Sequence, residues 1–319
     1  MAFAKEIEIQ LAAIFDPHAG KTWGELKMVK RVHLTAEFCD IALEWGYPFK
    51  GVENELTRLV TAALKQMSIA VPPRLELKQV ISTHTGRPDA NPLPQVKNIV
   101  AVASGKGGVG KSTVALSLAR TLQALGANVG LLDADIYGPS LPTLLKTGDQ
   151  KPVIEDRSIH PIKVAGLQTI SMGYLVASKA ALAWRGPMLG KALEQLLFDS
   201  KWEALDYLIV DMPPGTGDVQ LTLCQKMPVS GAVVVTTPHP LALADVKRAA
   251  ELFQQLKIPV LGAIENMSTH ACSACGHVST LFGEGAGLAL QADSGIPLLG
   301  TLPLTAALQE DPLQAPIHP

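Results

Sequence analysis

The chain is 319 residues long and 47% apolar, with 27 basic and 29 acidic side chains and a formal net charge of −2. That length has room for two domains and that apolar share for a sizeable core, while the even charge balance offers no electrostatic case for nucleic acid. Met1–Glu6 carries no basic region leading into an apolar core, no apolar run reaches the ~18 residues of a membrane span, and four cysteines in so long a chain do not make a disulfide framework. A cytoplasmic protein with no nucleic-acid or membrane partner is expected.

Residues 1–82 read as a small α/β unit. Ile7 to Phe15 is expected to be helical, Cys39, Ile41, Leu43 and Trp45 alternate as one face of a strand, and Leu75 and Leu77 suggest another. Between them Val52, Leu56, Leu59, Val60, Ala63, Leu64 and Met67 keep helical spacing, which predicts an amphipathic helix. Residues 83–97 hold Pro88, Pro92 and Pro94 among polar neighbours, resist both helix and strand, and are read as a linker.

From residue 98 to 319 apolar strand candidates alternate with helices: Ile99–Ala103, Val129–Leu132, Tyr207–Val210, Ala232–Val235, Val260–Ile264 and Leu298–Leu302. Runs that are apolar on both faces predict a mostly parallel sheet covered by helices on both sides. Ligands of such sheets bind beyond the carboxyl ends of the strands, which is where the polar residues of this chain cluster.

Gly105-Lys106-Gly107-Gly108-Val109-Gly110-Lys111-Ser112, followed by Thr113, fits the phosphate-cradling pattern G-x-x-x-x-G-K-[ST]. The strand Ile99–Ala103 precedes it and a helix, Thr113–Leu125, is predicted after it, the order such a loop needs. The glycines let backbone N–H groups turn toward phosphate oxygens of ATP, Lys111 reaches the terminal phosphates, and the Ser112 hydroxyl is placed to ligate Mg²⁺. Lys106 is a surplus cation.

Three acidic residues end strands. Asp133 and Asp135 follow Leu131-Leu132, and Asp211 follows Leu208-Ile209-Val210; carboxylates there hold magnesium or orient an attacking water, or else cap a turn. Pro213-Pro214-Gly215-Thr216-Gly217 has the build of a switch loop. Asn266, expected just after the strand Val260–Ile264, offers an amide to an adenine edge.

Cys272-Ser273-Ala274-Cys275 stands between His270 and His277, and no second C-x-x-C exists. Two chains related by a two-fold axis would supply four thiolates to one cluster; zinc held with His270 or His277, or a thiol redox pair, are the other readings. Cys39 and Cys224 read as buried small hydrophobes.

GKGGVGKST at 105–113, LLDADIYGPS at 131–140, WRGPM at 184–188, DYLIVDMPPGTGD at 206–218, and ENMS with C-x-x-C-G at 265–276 together resemble the ApbC/Mrp family of iron-sulfur cluster carrier ATPases, in the deviant Walker A class with MinD and ParA. The resemblance implies a homodimeric, slow, switch-like ATPase that binds a labile [4Fe–4S] cluster between subunits and works with apo iron-sulfur proteins and cluster-assembly proteins. It assigns Lys106 as the lysine that crosses to the partner's phosphates, Asp135 to the hydrolytic water, Asp133 and Asp211 to magnesium, Asn266 to adenine, and Cys272 and Cys275 to the cluster, with Asp245 a partner for Lys106. A MinD/ParA-type positioning or regulatory ATPase and a zinc-binding nucleotide-dependent scaffold are the alternative functions.

The first 80 residues resemble the iron-sulfur-assembly-like domain fused to such carriers, but Gly46-Tyr47-Pro48-Phe49-Lys50 stands where that domain often has a cysteine, so docking or folding is its expected role. Only fifteen residues follow Leu302-Pro303-Leu304 and no terminal helix is recognisable, a departure expected to weaken dimer contacts or partner binding.

Overall fold

The computed structural model describes residues 2–84, 93–136, 138–156, 158–175 and 186–305. Residues 85–92 of the linker expected at 83–97, Tyr137, Trp184 and Arg185 of the WRGPM string, and the tail from 306 lie outside the described residues, and the last two linker positions, Val96 and Lys97, already belong to a strand. Two compact units divide the chain, Met1–Ser82 with Ala124–Gly126, and the remainder.

The first unit runs helix Ala2–Ala12, β1 (Phe15–Asp16), β2 (Lys21–Thr22), β3 (Val29–Leu34), β4 (Cys39–Trp45), helix Glu53–Gln66 and β5 (Pro73–Gln79). β4 is central, antiparallel to β3 and parallel to β5. A parallel neighbour needs a crossover, and Glu53–Gln66 supplies it, burying Leu56, Val60 and Leu64. Cys39, Ile41, Leu43 and Trp45 are all buried, as their alternation required.

The first helix is displaced toward the N-terminus from its apolar pattern, spanning Ala2–Ala12 where Ile7 to Phe15 is expected. It stops at Ala12, and Phe15 lies in β1, because the buried Asp16 carboxylate accepts the amides of His18 and Ala19 (2.9 and 3.0 Å) and turns the chain. Trp45 packs edge-on to Trp23 with ring centroids 5.4 Å apart and donates its indole N–H to the Tyr47 hydroxyl (2.9 Å), which in turn donates to Asp16. Gly46–Lys50 therefore contributes core packing and a buried hydrogen-bond chain.

In the second unit, β6 (Val96–Ala103), β7 (Val129–Asp133), β8 (Ile154–Glu155), β9 (Ser158–Ile159), β10 (Ile162–Val164), β11 (Leu167–Ser171), β12 (Leu205–Asp211), β13 (Gly231–Thr236), β14 (Val260–Ala271), β15 (Val278–Ser279) and β16 (Leu298–Leu304) alternate with helices. The main sheet has the order β10-β11-β7-β12-β6-β13-β14-β15, with β16 also on β14. Its body is parallel, and only β10 and β15 pair antiparallel. Every residue of β7, β11 and β13 is buried, which is why the strands read apolar on both faces.

Two features differ from the apolar pattern. β11 is fully buried but contains Gln168, Thr169 and Ser171, so hydrophobicity does not reveal it. β14 continues seven residues beyond Ile264, to Ala271, which puts Asn266 inside the strand and Cys272 at its end.

Trp45→Ala removes a fully buried indole and leaves Tyr47 without its donor, so it should destabilise the N-terminal unit by about 3–5 kcal/mol. Urea unfolding followed by far-UV circular dichroism measures the loss; a midpoint within error of wild type would contradict this packing.

Candidate functional site

The phosphate loop leaves β6 at Ala103 and enters the helix Lys111–Ala124, so the helix N-terminus opens onto the loop. Gly108 and Gly110 both have φ of 81°, a backbone region that favours glycine. Gly110 also touches strand β14: a Cβ there would lie 2.1 Å from Asn266 Nδ2, which donates to the Val109 carbonyl (2.9 Å). Gly105 is equally confined, since its Cβ would fall 2.2 Å from the Asp245 carbonyl. The expected Asp245–Lys106 pair is not formed; Arg248, one turn on, donates to Asp245 at 2.9 Å.

A cleft of about 290 Å³ opens over this loop, lined among others by Lys106, Lys111, Ser112, Thr113, Asp135 and Pro214. Lys111 is buried, with its ammonium 2.5 Å from Asp211 Oδ1 and 3.9 Å from Asp135 Oδ2. Burial pushes the Asp211 carboxyl up, while the Lys111 charge and hydrogen bonds from Lys111 and Ser112 oppose that shift. Ser112, Asp135 and Asp211 make a hard, all-oxygen donor set beside a cationic phosphate loop, which suits Mg²⁺.

Asp133 sits apart from them, fully buried, with its two oxygens accepting from the amides of Asp135 (3.1 Å), Ser140 (3.0 Å) and Leu141 (3.1 Å) and from the Ser171 hydroxyl (2.9 Å). Four protein donors engage the carboxylate expected on magnesium. Burial, and then the Asp211 charge, raise its pKa from 3.8 to about 7 against those hydrogen bonds. Ser171 comes from β11, a strand that hydrophobicity hid.

The expected switch loop is held at both ends. Gly215, with φ of 94°, donates its N–H to the Ser104 carbonyl at the start of the phosphate loop (3.0 Å), and Gln220 donates to the Pro213 carbonyl.

The C-x-x-C pair forms the tip of the β14/β15 hairpin. Cys272 N–H donates to the His277 carbonyl (2.9 Å), Gly276 N–H donates to the Cys272 carbonyl (2.8 Å), and Gly276 closes the turn at φ of 71°. Cys275 is exposed and Cys272 half-buried, whereas Cys39 and Cys224 are buried. Hydrogen bonds from the Ala274 and Cys275 amides, followed by one from the Cys275 thiol, lower the Cys272 pKa and favour its thiolate. Among the described residues no three His, Cys, Asp or Glu side chains group closely enough to hold a metal ion, so His270 and His277 do not complete a site with the cysteines.

A phosphate loop feeding a helix at the carboxyl end of a parallel sheet, with acids from neighbouring strands at its mouth, defines a P-loop nucleoside triphosphatase. The chain belongs to the NUBPL iron-transfer P-loop NTPase family of the ParA group, whose model matches residues 95–315. It is 44% identical to the iron-sulfur cluster carrier protein of Haemophilus influenzae over 287 residues, 90% of this chain and 78% of that one. With the iron-sulfur cluster carrier protein of Escherichia coli it shares 46% identity over 290 residues, 90% of this chain and 79% of the relative. A nucleotide-binding protein of Archaeoglobus fulgidus, solved in complex with ADP, superposes with a TM-score of 0.61 at 36% identity, covering 70% of this chain and 88% of its own. No helix among the described residues is long and apolar enough to cross a membrane.

Because Asp133 is protonated in the folded protein up to about pH 7 but only to 3.8 when ordinary, the folded state binds the extra proton between those values. Its contribution is therefore most favourable at the acid end and is lost as pH rises through about 7. The Tm of wild type relative to Asp133→Asn, which cannot ionise, should fall between about pH 5 and 7.5; a constant difference would refute the assignment.

Proposed function

We propose that this protein is a cytoplasmic ATPase that carries a labile [4Fe–4S] cluster between two identical subunits and passes it to apo iron-sulfur proteins. The observation that carries the reading is one strand, β14, bearing both Asn266, which touches the phosphate loop, and the Cys272/Cys275 hairpin, in a chain of the iron-transfer family. Relatives that are named iron-sulfur cluster carriers support the same cargo.

The amides of Gly105–Ser112 and the Lys111 ammonium bind the phosphates, with Thr113 in the same cleft. An incoming triphosphate competes with Asp211 for Lys111 and frees that carboxylate for magnesium, together with the Ser112 hydroxyl. Magnesium held by these groups would neutralise phosphate charge. Asp135, at the cleft wall, orients the attacking water. Asp133 acts through position, fixing the Asp135 amide and the Ser140–Leu141 turn. Asn266 uses one amide proton on Val109 and retains a second N–H and its carbonyl oxygen for adenine.

Lys106 lines the cleft from its outer edge, and Asp245 pairs elsewhere, which suits a cation that serves the partner's phosphates. Two thiolates per chain make half a ligand set, and two-fold pairing supplies the other half. Val278 and Leu281, each 59% exposed beside the hairpin, give that pairing apolar surface. Zinc within one chain is disfavoured by the lack of a third ligand among the described residues.

Anaerobic reconstitution with iron and sulfide should give wild type a broad visible charge-transfer absorption that Cys272→Ser lacks; equal spectra would sink the cluster assignment. Lys111→Ala should weaken ATP binding by at least about tenfold through loss of a charge-assisted hydrogen bond. Lys106→Ala should keep most of the affinity and lose hydrolysis, as read by equilibrium binding and phosphate release; normal turnover in that variant would rule out a two-chain active site.

A further inference from the structure

Strand β14 has an irregularity between its two functional ends. It loses register with β16 between Asn266, opposite Leu302, and His270, opposite Leu304, so four steps along β14 meet two on β16. Within that bulge Met267 sits at φ of 59°, a conformation uncommon for a residue with a side chain. Such outliers persist only where their surroundings hold them, and they cluster at active sites and switch regions.

Each residue from Glu265 to Ser268 is tied to a different neighbour. Glu265 is buried and its carboxylate accepts the Gly287 N–H (2.6 Å) at the start of the helix Ala286–Ser294. Asn266 holds the Val109 carbonyl, and a Cβ on Gly110 would lie 3.8 Å from the Met267 terminal methyl, so both side chains border the phosphate loop. Ser268 donates to the Leu302 carbonyl (3.1 Å) and pins the bulge to β16. The cysteine excursion, residues 272–285, begins four residues after Ser268 and ends at the helix that Glu265 caps. Both of its roots thus run back to one tetrapeptide, and that tetrapeptide leans on the nucleotide loop.

We infer that Glu265–Ser268 is a mechanical joint through which occupancy of the phosphate loop sets the accessibility of the Cys272 and Cys275 thiols. The inference rests on the nucleotide and thiol roles proposed above and adds the route between them. When phosphates draw the loop amides toward themselves, the Val109–Gly110 contact with Asn266 and Met267 changes, and the bulge transmits the change along β14 to the hairpin. A left-handed residue in a register break is able to do this where a regular strand, paired at every step, resists it.

The test uses metal-free, reduced full-length protein, so it does not depend on any cluster. Alkylation rates of Cys272 and Cys275 by iodoacetamide are resolved by peptide mass spectrometry without nucleotide, with MgADP and with MgATP, and the buried Cys39 and Cys224 serve as internal controls of folding. The expected change on nucleotide binding in wild type is about fivefold or more, the range of ordinary coupling between sites. Met267→Gly accepts the left-handed backbone and removes the side chain against the loop; it should bind ATP within about threefold of wild type while its thiol response falls to less than about twofold. Met267→Ala, which removes only the side chain, should give an intermediate response. Wild-type rates indifferent to nucleotide, or a Met267→Gly response equal to wild type, would overturn the joint while leaving the cluster assignment intact. Failure of wild type to bind nucleotide would overturn both.

Discussion

The buried Lys111 ammonium is the interaction on which the second unit is organised. A cation that is 6% exposed at the edge of a hydrophobic sheet needs compensation, because an unpaired buried charge costs several kcal/mol. Asp211 provides it at 2.5 Å and Asp135 from 3.9 Å. Strand register makes this possible: Asp211 lies level with Asp133 on β7 and with Val102 on β6, near the end of the strand that leads into the phosphate loop, so acids far apart in sequence come to one height. The same proximity creates the cost seen at Asp133, whose carboxyl is raised by burial and by Asp211. Three of its donors, the Asp135, Ser140 and Leu141 amides, hold the turn that follows and the fourth, Ser171, ties it to β11, so the carboxyl anchors the cleft wall.

Close backbone approach is the second constraint. Gly105 lies against the Asp245 carbonyl and Gly110 against the Asn266 amide, so the phosphate loop is wedged between the helix Pro240–Gln255 and strand β14. Gly215 ties the switch loop to Ser104 on the other side. Strand β14 is the neighbour that leads to the thiols, where amide hydrogen bonds favour the Cys272 thiolate.

Much of this was legible in the chain. Buried parallel strands announced themselves as runs apolar on both faces, and the glycine-lysine loop carried its chemistry in its spacing. The alternation of Cys39, Ile41, Leu43 and Trp45 appeared as β4 unchanged. Local pattern failed where polar atoms or long-range contacts decide the element. Ser171, Thr169 and Gln168 disguised a fully buried strand. Phe15 looked helical until the Asp16 turn claimed it, and Asn266 looked like a loop residue because its strand continues through polar positions. Glu265 carried no local signal at all, since its partner, Gly287, lies twenty-two residues away.

By itself, then, the sequence determined the sheet class, the phosphate loop, the pair of thiols and the acids at the strand ends, because each is written in spacing or in a run of neighbouring residues. Only the tertiary structure decided which acid faces Lys111, which is locked behind the wall, and that Asn266 reaches the phosphate loop. Those outcomes depend on strand register, burial and the reach of single atoms across the sheet, and none of these is a property of neighbouring residues in the chain.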